Sequence, residues 1–149
     1  MPNTILLKNW GPEVREEYQA ANAGLFPGKL IEKATSGKVQ EHSTATGAAV
    51  AMFALEDELQ GKTVDETYAA DDQVMVWKPR SGDWVWAVLA DGENVSIGDF
   101  LESDGAGNLQ QGTTHPVAVA EEAIDLSQSS GAESSSVLGF NRRIKVSVL

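Results

Sequence analysis

Nucleophilic chemistry needs a hydroxyl or thiol beside a base, and this chain offers few ways to build that. Cysteine is absent, so thiolate catalysis, disulfides and cysteine metal sites are excluded. A Ser/His/Asp arrangement needs a serine on a sharp turn and a histidine within hydrogen-bond reach. The two histidines, His42 and His115, stand in polar, turn-like surroundings that suit ordinary surface residues, and no Gly-x-Ser-x-Gly elbow occurs. Paired carboxylates such as Asp71-Asp72 and Glu121-Glu122 suit general acid–base work. In a chain with 22 acidic side chains they read first as solvated charge. Asp99, Glu102, Asp104 and Asn108 form an oxygen-rich group near glycines, but no glutamate closes a twelve-residue calcium loop there. Gly105-Ala106-Gly107 lacks the lysine and the helix start of a phosphate cradle. No catalytic residue, cofactor site or metal site is therefore expected, and the sequence reads as a non-enzyme.

Charge and length narrow the classes further. The 149 residues suit one domain, or one domain with an arm, and 42% hydrophobic residues suffice for a core. A net charge of −11 argues against a nucleic-acid binder and against docking on an anionic membrane. The run Ile5-Leu6-Leu7 ends at Lys8, too short for a signal peptide or a membrane span. Residues 56–72 hold seven acidic groups and one lysine, and residues 91–104 hold five acidic groups and no basic one. Arg142, Arg143 and Lys145 make the C-terminal stretch basic, which suits a charged, protected strand edge or a bipolar molecule with different partners at its ends.

The elements that must carry these residues are short. From residue 27 onward, apolar runs alternate with turn residues as strands do. Residues 29–33 and 38–42 predict a hairpin across Thr35-Ser36-Gly37, and residues 49–55 a buried strand. Residues 73–78 and 84–89 predict a second hairpin across residues 79–83. Gly98-Asp99 suggests a bulge or a tight bend within the apolar run at residues 95–101, and residues 104–108 a turn. Thr63 and Glu66 fit a capping box, and residues 116–126 fit a strand better than a helix. The last strand is the clearest, with Ile144, Val146 and Val148 alternating with Arg143, Lys145 and Ser147. Residues 127–139, rich in serine and glycine, predict a flexible surface loop. At least seven short strands with little helix imply an all-β barrel or sandwich.

Residues 1–26 differ, with scattered apolar residues broken by Gly11-Pro12. They read as an extended arm or a short helix opened by Pro12. Trp10 is hard to explain by folding alone, because an apolar arm outside a β domain is costly unless it docks on something. Trp77, Trp84 and Trp86 fall in two neighbouring runs. Alternation puts at least one of Trp84, Val85 and Trp86 away from the core, where a tryptophan suits an interface.

Read in order, these pieces resemble the small capsid decoration, or cement, proteins of tailed bacteriophages. The matching stretches are Phe26-Pro27-Gly28-Lys29-Leu30-Ile31-Glu32, Gly37-Lys38-Val39, residues 51–58 with Gly61-Lys62, and Tyr68 with Asp72-Gln73-Val74. They continue with Gly82-Asp83 before Trp86-Ala87-Val88-Leu89, then Gly98-Asp99-Phe100-Leu101-Glu102 before Gly107-Asn108-Leu109. Ala118-Val119-Ala120-Glu121-Glu122-Ala123 and Arg143-Ile144-Lys145-Val146 complete the match over most of residues 26–149. The long serine-rich stretch before the last strand departs from the pattern.

The resemblance implies a small all-β barrel or β-tulip domain at residues 27–149, preceded by an N-terminal arm at residues 1–26. It implies a homotrimer on the outer capsid surface at three-fold and quasi-three-fold sites, with the major capsid protein and its own copies as partners and neither nucleic acid nor membrane. Its place would be the virion, and the host bacterial cytoplasm during assembly. Ile5, Leu6, Leu7, Trp10, Tyr18 and Phe26 of the arm are then the expected capsid contacts, ordered only against the shell. The competing reading is a small β-barrel module that binds carbohydrate or peptide on exposed tryptophans.

Overall fold

The computed structural model describes residues 4–127 and 143–149. Among them the chain forms thirteen short strands, and its one helical element is a 3-10 turn, Glu58–Gln60. The largest sheet runs in the order β1 (Leu6–Lys8), β7 (Trp84–Val88), β13 (Arg143–Val148), β11 (Ala118–Ala120), β9 (Phe100–Ser103) and β10 (Leu109–Gln111). Every neighbouring pair in it is antiparallel. A second sheet orders β2 (Arg15–Gln19), β6 (Gln73–Trp77) and β5 (Phe53–Ala54). β3 (Ile31–Lys33) pairs with β4 (Val39–Glu41), and β8 (Asn94–Val95) with β12 (Ile124–Asp125).

Two apolar cores lie on the two faces of the second sheet. Phe53 and Trp77 face the large sheet and pack with Val85, Ala87, Ile144 and Val146. Ala54, Val74 and Val76 face the other way, onto Ile31 and Val39 of the β3–β4 hairpin, with Ala20, Leu25 and Tyr68. The architecture is thus sandwich-like, with β6 covered on both faces. Its continuous apolar run follows from that position, because a strand buried on both sides has no polar face to show. Burying a leucine, isoleucine or phenylalanine fully contributes roughly 1.5–3 kcal/mol.

The expected barrel is not closed. Leu89, just past β7, makes one parallel bridge to Leu109 of β10, and Ala90 N–H donates to Leu109 O at 2.7 Å. The large sheet therefore curls until its far strand touches the chain leaving β7. A single bridge is not a ladder, so the sheet stays open.

The expected arm is also corrected. Residues 4–26 fold into the domain: β1 pairs with β7, and β2 pairs with β6 over all five of its residues. Ile5 is wholly buried in the first core, with its N–H on Glu56 Oε2 at 3.1 Å and its carbonyl accepting from Trp86 N–H at 2.8 Å. Residues 4–26 thus pack into the same two cores as the described residues from 27 onward. The scattered apolar residues suggested an arm because each serves a different layer, Ile5 one core and Ala20 and Leu25 the other.

The 73–78 and 84–89 runs do not form the expected hairpin either. They lie in different sheets, and the turn between them docks on the last strand, with Gly82 N–H on Val148 O at 2.8 Å and Val148 N–H on Asp83 O at 2.9 Å. β13 is no protected edge: β7 and β11 flank it on both sides. Gly98-Asp99 makes the tight bend of the two expected alternatives, between β8 and β9, and not a bulge within one strand, and Thr63 with Glu66 closes only a turn. Of residues 49–55, only Phe53–Ala54 is strand. The 29–33/38–42 hairpin, the 104–108 turn and the strand at residues 118–120 stand where expected. The serine-rich stretch, apart from residue 127, lies outside the described residues.

Candidate functional site

Trp10 is the feature that folding alone does not explain. It follows β1, which carries the chain along β7 and then turns; Asn9 Nδ2 donates to Gly11 O at 3.0 Å. The indole Nε1–H donates to Gly82 O at 2.8 Å, and the backbone N–H of Trp10 donates to Asp83 Oδ1 at 3.0 Å. Asp83 is itself buried, and its other oxygen accepts from Arg80 N–H at 2.8 Å. Gly82 takes a positive φ of 91°, and a Cβ there would stand 3.6 Å from Trp10 Cδ1. Glycine thus turns the chain at a φ that side chains rarely adopt, while a Cβ there would only touch the ring at ordinary contact distance. The ring is pinned in place yet 75% exposed.

Two cations, Lys8 and Arg80, belong to the segments next to it in a chain of net charge −11. Lys8 Nζ lies 4.0 Å from the centre of the Trp84 ring. The Arg80 guanidinium approaches the Gly11 backbone, 2.8 Å from where a Cβ would sit. Lys8, Asn9 and Trp10 line a shallow recess of about 310 Å³. Tryptophan and arginine dominate binding hot spots, and an aromatic group fixed before binding loses little entropy on contact.

The six expected contact residues are not brought together. Ile5 and Phe26 are buried, and Leu6 and Leu7 are half-buried against the first core. Tyr18 is half-buried, its hydroxyl donating to Glu16 and its ring under Lys33 Nζ at 4.4 Å. The Phe26 ring has two cations near it, Lys29 Nζ at 4.7 Å from its centre and the Arg143 guanidinium at 5.9 Å. Trp10 alone of the six is exposed. The tryptophan platform shrinks as well, since Trp77 and Trp86 are core residues and Trp84 is half-buried beneath Lys8. Gly82, Asp83 and Arg80 are site residues that the sequence does not single out: the Gly82-Asp83 turn is legible there, but only as part of a local hairpin.

His42 is not the surface residue the sequence suggested. It is buried, with Nδ1 2.7 Å from Ser103 Oγ and Nε2 3.3 Å from Ala48 O and 3.7 Å from Glu32 Oε2. The order of groups resembles a triad, yet Ser103 has no exposed surface and its Oγ also accepts from Gly105 N–H at 3.1 Å. The cluster ties the hairpin, the 44–48 segment and β9 together. Burial raises the Glu32 pKa, but hydrogen bonds from Ser43 and Gln40 and the nearby His42 outweigh it and hold the carboxylate below its usual range. His115 is exposed, as expected.

The oxygen-rich group divides among separate duties. Asp104 accepts from the N–H groups of Ala106 at 2.7 Å and Asn108 at 3.0 Å, and so closes its turn. Glu102 Oε2 accepts from Thr114 and His115 N–H, both at 2.9 Å. Asp99 Oδ2 accepts from Ser96 N–H at 2.8 Å and Gln111 Nε2 at 2.9 Å. Among the described residues no three His, Cys, Asp or Glu side chains gather as metal ligands, and no helix is long and apolar enough to cross a membrane. No protein-family model and no curated protein matches the chain.

Proposed function

We propose that this chain is a structural virion protein: a homotrimeric capsid decoration protein that binds the outer surface of an assembled phage head at three-fold and quasi-three-fold sites and stabilises it. The observation that carries the reading is Trp10, held by two hydrogen bonds with its ring turned to solvent. The ordered motif resemblance over residues 26–149 supports it, as does the high negative charge, which keeps a protein of high copy number soluble.

The contact differs from the one an arm would make. Trp10, with Lys8 and Arg80 beside it, is a compact anchor on the rim of the domain and not a wrapping tether. One anchor gives weak attachment, but three on one trimer act together, because the second and third bind at high effective concentration. A protein that binds only the assembled shell stabilises that shell by mass action. The test is sedimentation of phage heads lacking decoration protein with the purified chain, with its solution mass measured alongside. Co-sedimentation and a trimer mass are expected. A strict monomer that stays in the supernatant refutes the reading.

A further inference from the structure

We propose that the groove between the β3–β4 hairpin and the segment entering β5 docks a short extended peptide that carries a carboxylate next to an apolar side chain. This proposal is independent of the capsid reading.

The groove measures about 380 Å³ and is lined by Ile31, Lys33, Ala49, Val50, Met52 and Lys78 among others. Ile31 and Met52 belong to the second core, so the floor is the unsealed end of that core. Val50 on the wall is 73% exposed. Ligand sites have this character: apolar lining with a few polar groups at the rim.

The backbone of β3 adds direction. His42 N–H donates to Leu30 O at 3.0 Å and Ala34 N–H to Lys38 O at 2.8 Å. In an antiparallel ladder hydrogen-bonded and non-hydrogen-bonded pairs alternate, so the facing pairs Ile31↔Glu41 and Lys33↔Val39 are of the second kind. Ile31 and Lys33 therefore point their N–H and C=O away from β4. Ile31 N–H uses this to reach Met52 O at 2.9 Å. Residues 47–52 are not strand, and the groove opens between them and Lys33. An added strand segment finds the Lys33 backbone there, as in β-augmentation.

Charge selects the side chain. Lys78 is bridged to Glu16 at 3.1 Å, and Glu32 already accepts from Ser43 and Gln40. Lys33 lies over the Tyr18 ring and within the field of Glu16, which Lys78 already bridges, and among the described residues no carboxylate comes within salt-bridge distance of its Nζ, so it is the groove's most available cation, across from Glu32 on the lining. A peptide paired with β3 places an apolar side chain on Ile31, Val50 and Met52 and a carboxylate at Lys33.

The experiment titrates the ¹⁵N-labelled full chain with acetyl-Val-Ile-Asp-Val-amide and with its Asn counterpart, following amide shifts. Saturable shifts at residues 31–33 and 48–52 are expected, with a dissociation constant on the order of 0.1–1 mM for so small a contact. The Asn peptide should bind about three- to fivefold more weakly, the size of one exposed ion pair. K33Q should weaken the Asp peptide by the same factor and leave the Asn peptide unchanged, and V50D should abolish both. Lys33 and Val50 are exposed, and unchanged shifts elsewhere show that the variants fold. Four outcomes overturn the proposal: no saturable shift, shifts in another region, equal affinity for the two peptides, or acetate alone reproducing the shifts. A concentration-dependent shift of the same residues without peptide overturns it too, since a second copy would then be the occupant.

Discussion

Arg143 Nη2 donates to the carbonyl of Pro27 at 2.9 Å, a hydrogen bond that joins positions 116 residues apart. The same guanidinium donates to Val64 O, lies 3.4 Å from Asp65 Oδ1 and stands 5.0 Å from the Trp86 ring. Burial pushes its pKa down, and the hydrogen bond and charge of Asp65 counter that. Its Nε and the Trp77 Nε1 are buried without an acceptor among the described residues. One side chain thus pins the last strand to two loops.

Replacing Arg143 by alanine strands buried carbonyls at Pro27 and Val64, and each unsatisfied acceptor costs about 1–3 kcal/mol. A total loss of roughly 2–5 kcal/mol is expected, read as a lower urea midpoint at unchanged slope. Arg143→Lys should not rescue it, because one ammonium cannot reproduce a planar fork that reaches three acceptors.

Removing residues 1–20 should unfold the domain, since it takes away β1, β2, Ile5 and Ala20 and bares one edge of β7 and one of β6. Circular dichroism and amide dispersion of the truncated chain decide this. A folded truncation product would mean that the segment contributes little to the core.

How far the fold could be read from the chain follows from which signals are local. The β3–β4 hairpin and the 104–108 turn show in sequence because glycine and aspartate close them within a few residues. Ile144, Val146 and Val148 show because alternation is a property of one strand. Nothing local says that Trp77 and Val85 belong to different sheets, or that Gly82 turns toward Val148. The burial of His42 depends on Ser103, 61 residues away, and the seat of Trp10 on Gly82 and Asp83, more than 70 away. Spacing along the chain carries no trace of such pairings.

Trp10→Ala should leave thermal stability nearly unchanged, because the ring is mostly exposed, while weakening attachment to phage heads tenfold or more, the size of an interface hot spot of about 2 kcal/mol. Co-sedimentation and a melting curve of the same sample separate the two effects. Equal losses in both would assign Trp10 to the fold.

Tyr68 is wholly buried and donates its hydroxyl to Leu55 O at 2.6 Å. Desolvation, with Asp57 nearby, raises its pKa far above 10.0. The folded state therefore holds that proton more tightly than the unfolded chain, and the stability it contributes is complete below pH 10.0 and declines above it. Tyr68→Phe should cost about 1–3 kcal/mol at neutral pH through the orphaned carbonyl and should flatten the alkaline decline.

Glu32 behaves in the opposite sense. Its folded pKa lies below 4.5, so the stability it contributes is present above pH 4.5 and is lost as the pH falls through the lower folded value. Glu32→Gln should flatten the acid limb of a stability–pH curve below pH 4.5 while leaving the curve near pH 10 as it was. A wild-type acid limb in the variant would remove Glu32 from that role.

The position of β13 has a consequence for how the protein is made. Residues 143–148 lie between residues 84–88 and 118–120, so each of these strands, paired with β1 or β9 on one side, lacks its second partner until those six residues emerge from the ribosome. The nascent chain carries β7 and β11 with the edge that β13 covers left open until residues 143–148 are made, and pairing across such sequence separations is slow. Chaperone holding and prompt release matter more for this fold than for a helical one. A ribosome stalled before codon 143 yields a protease substrate, not a smaller working domain.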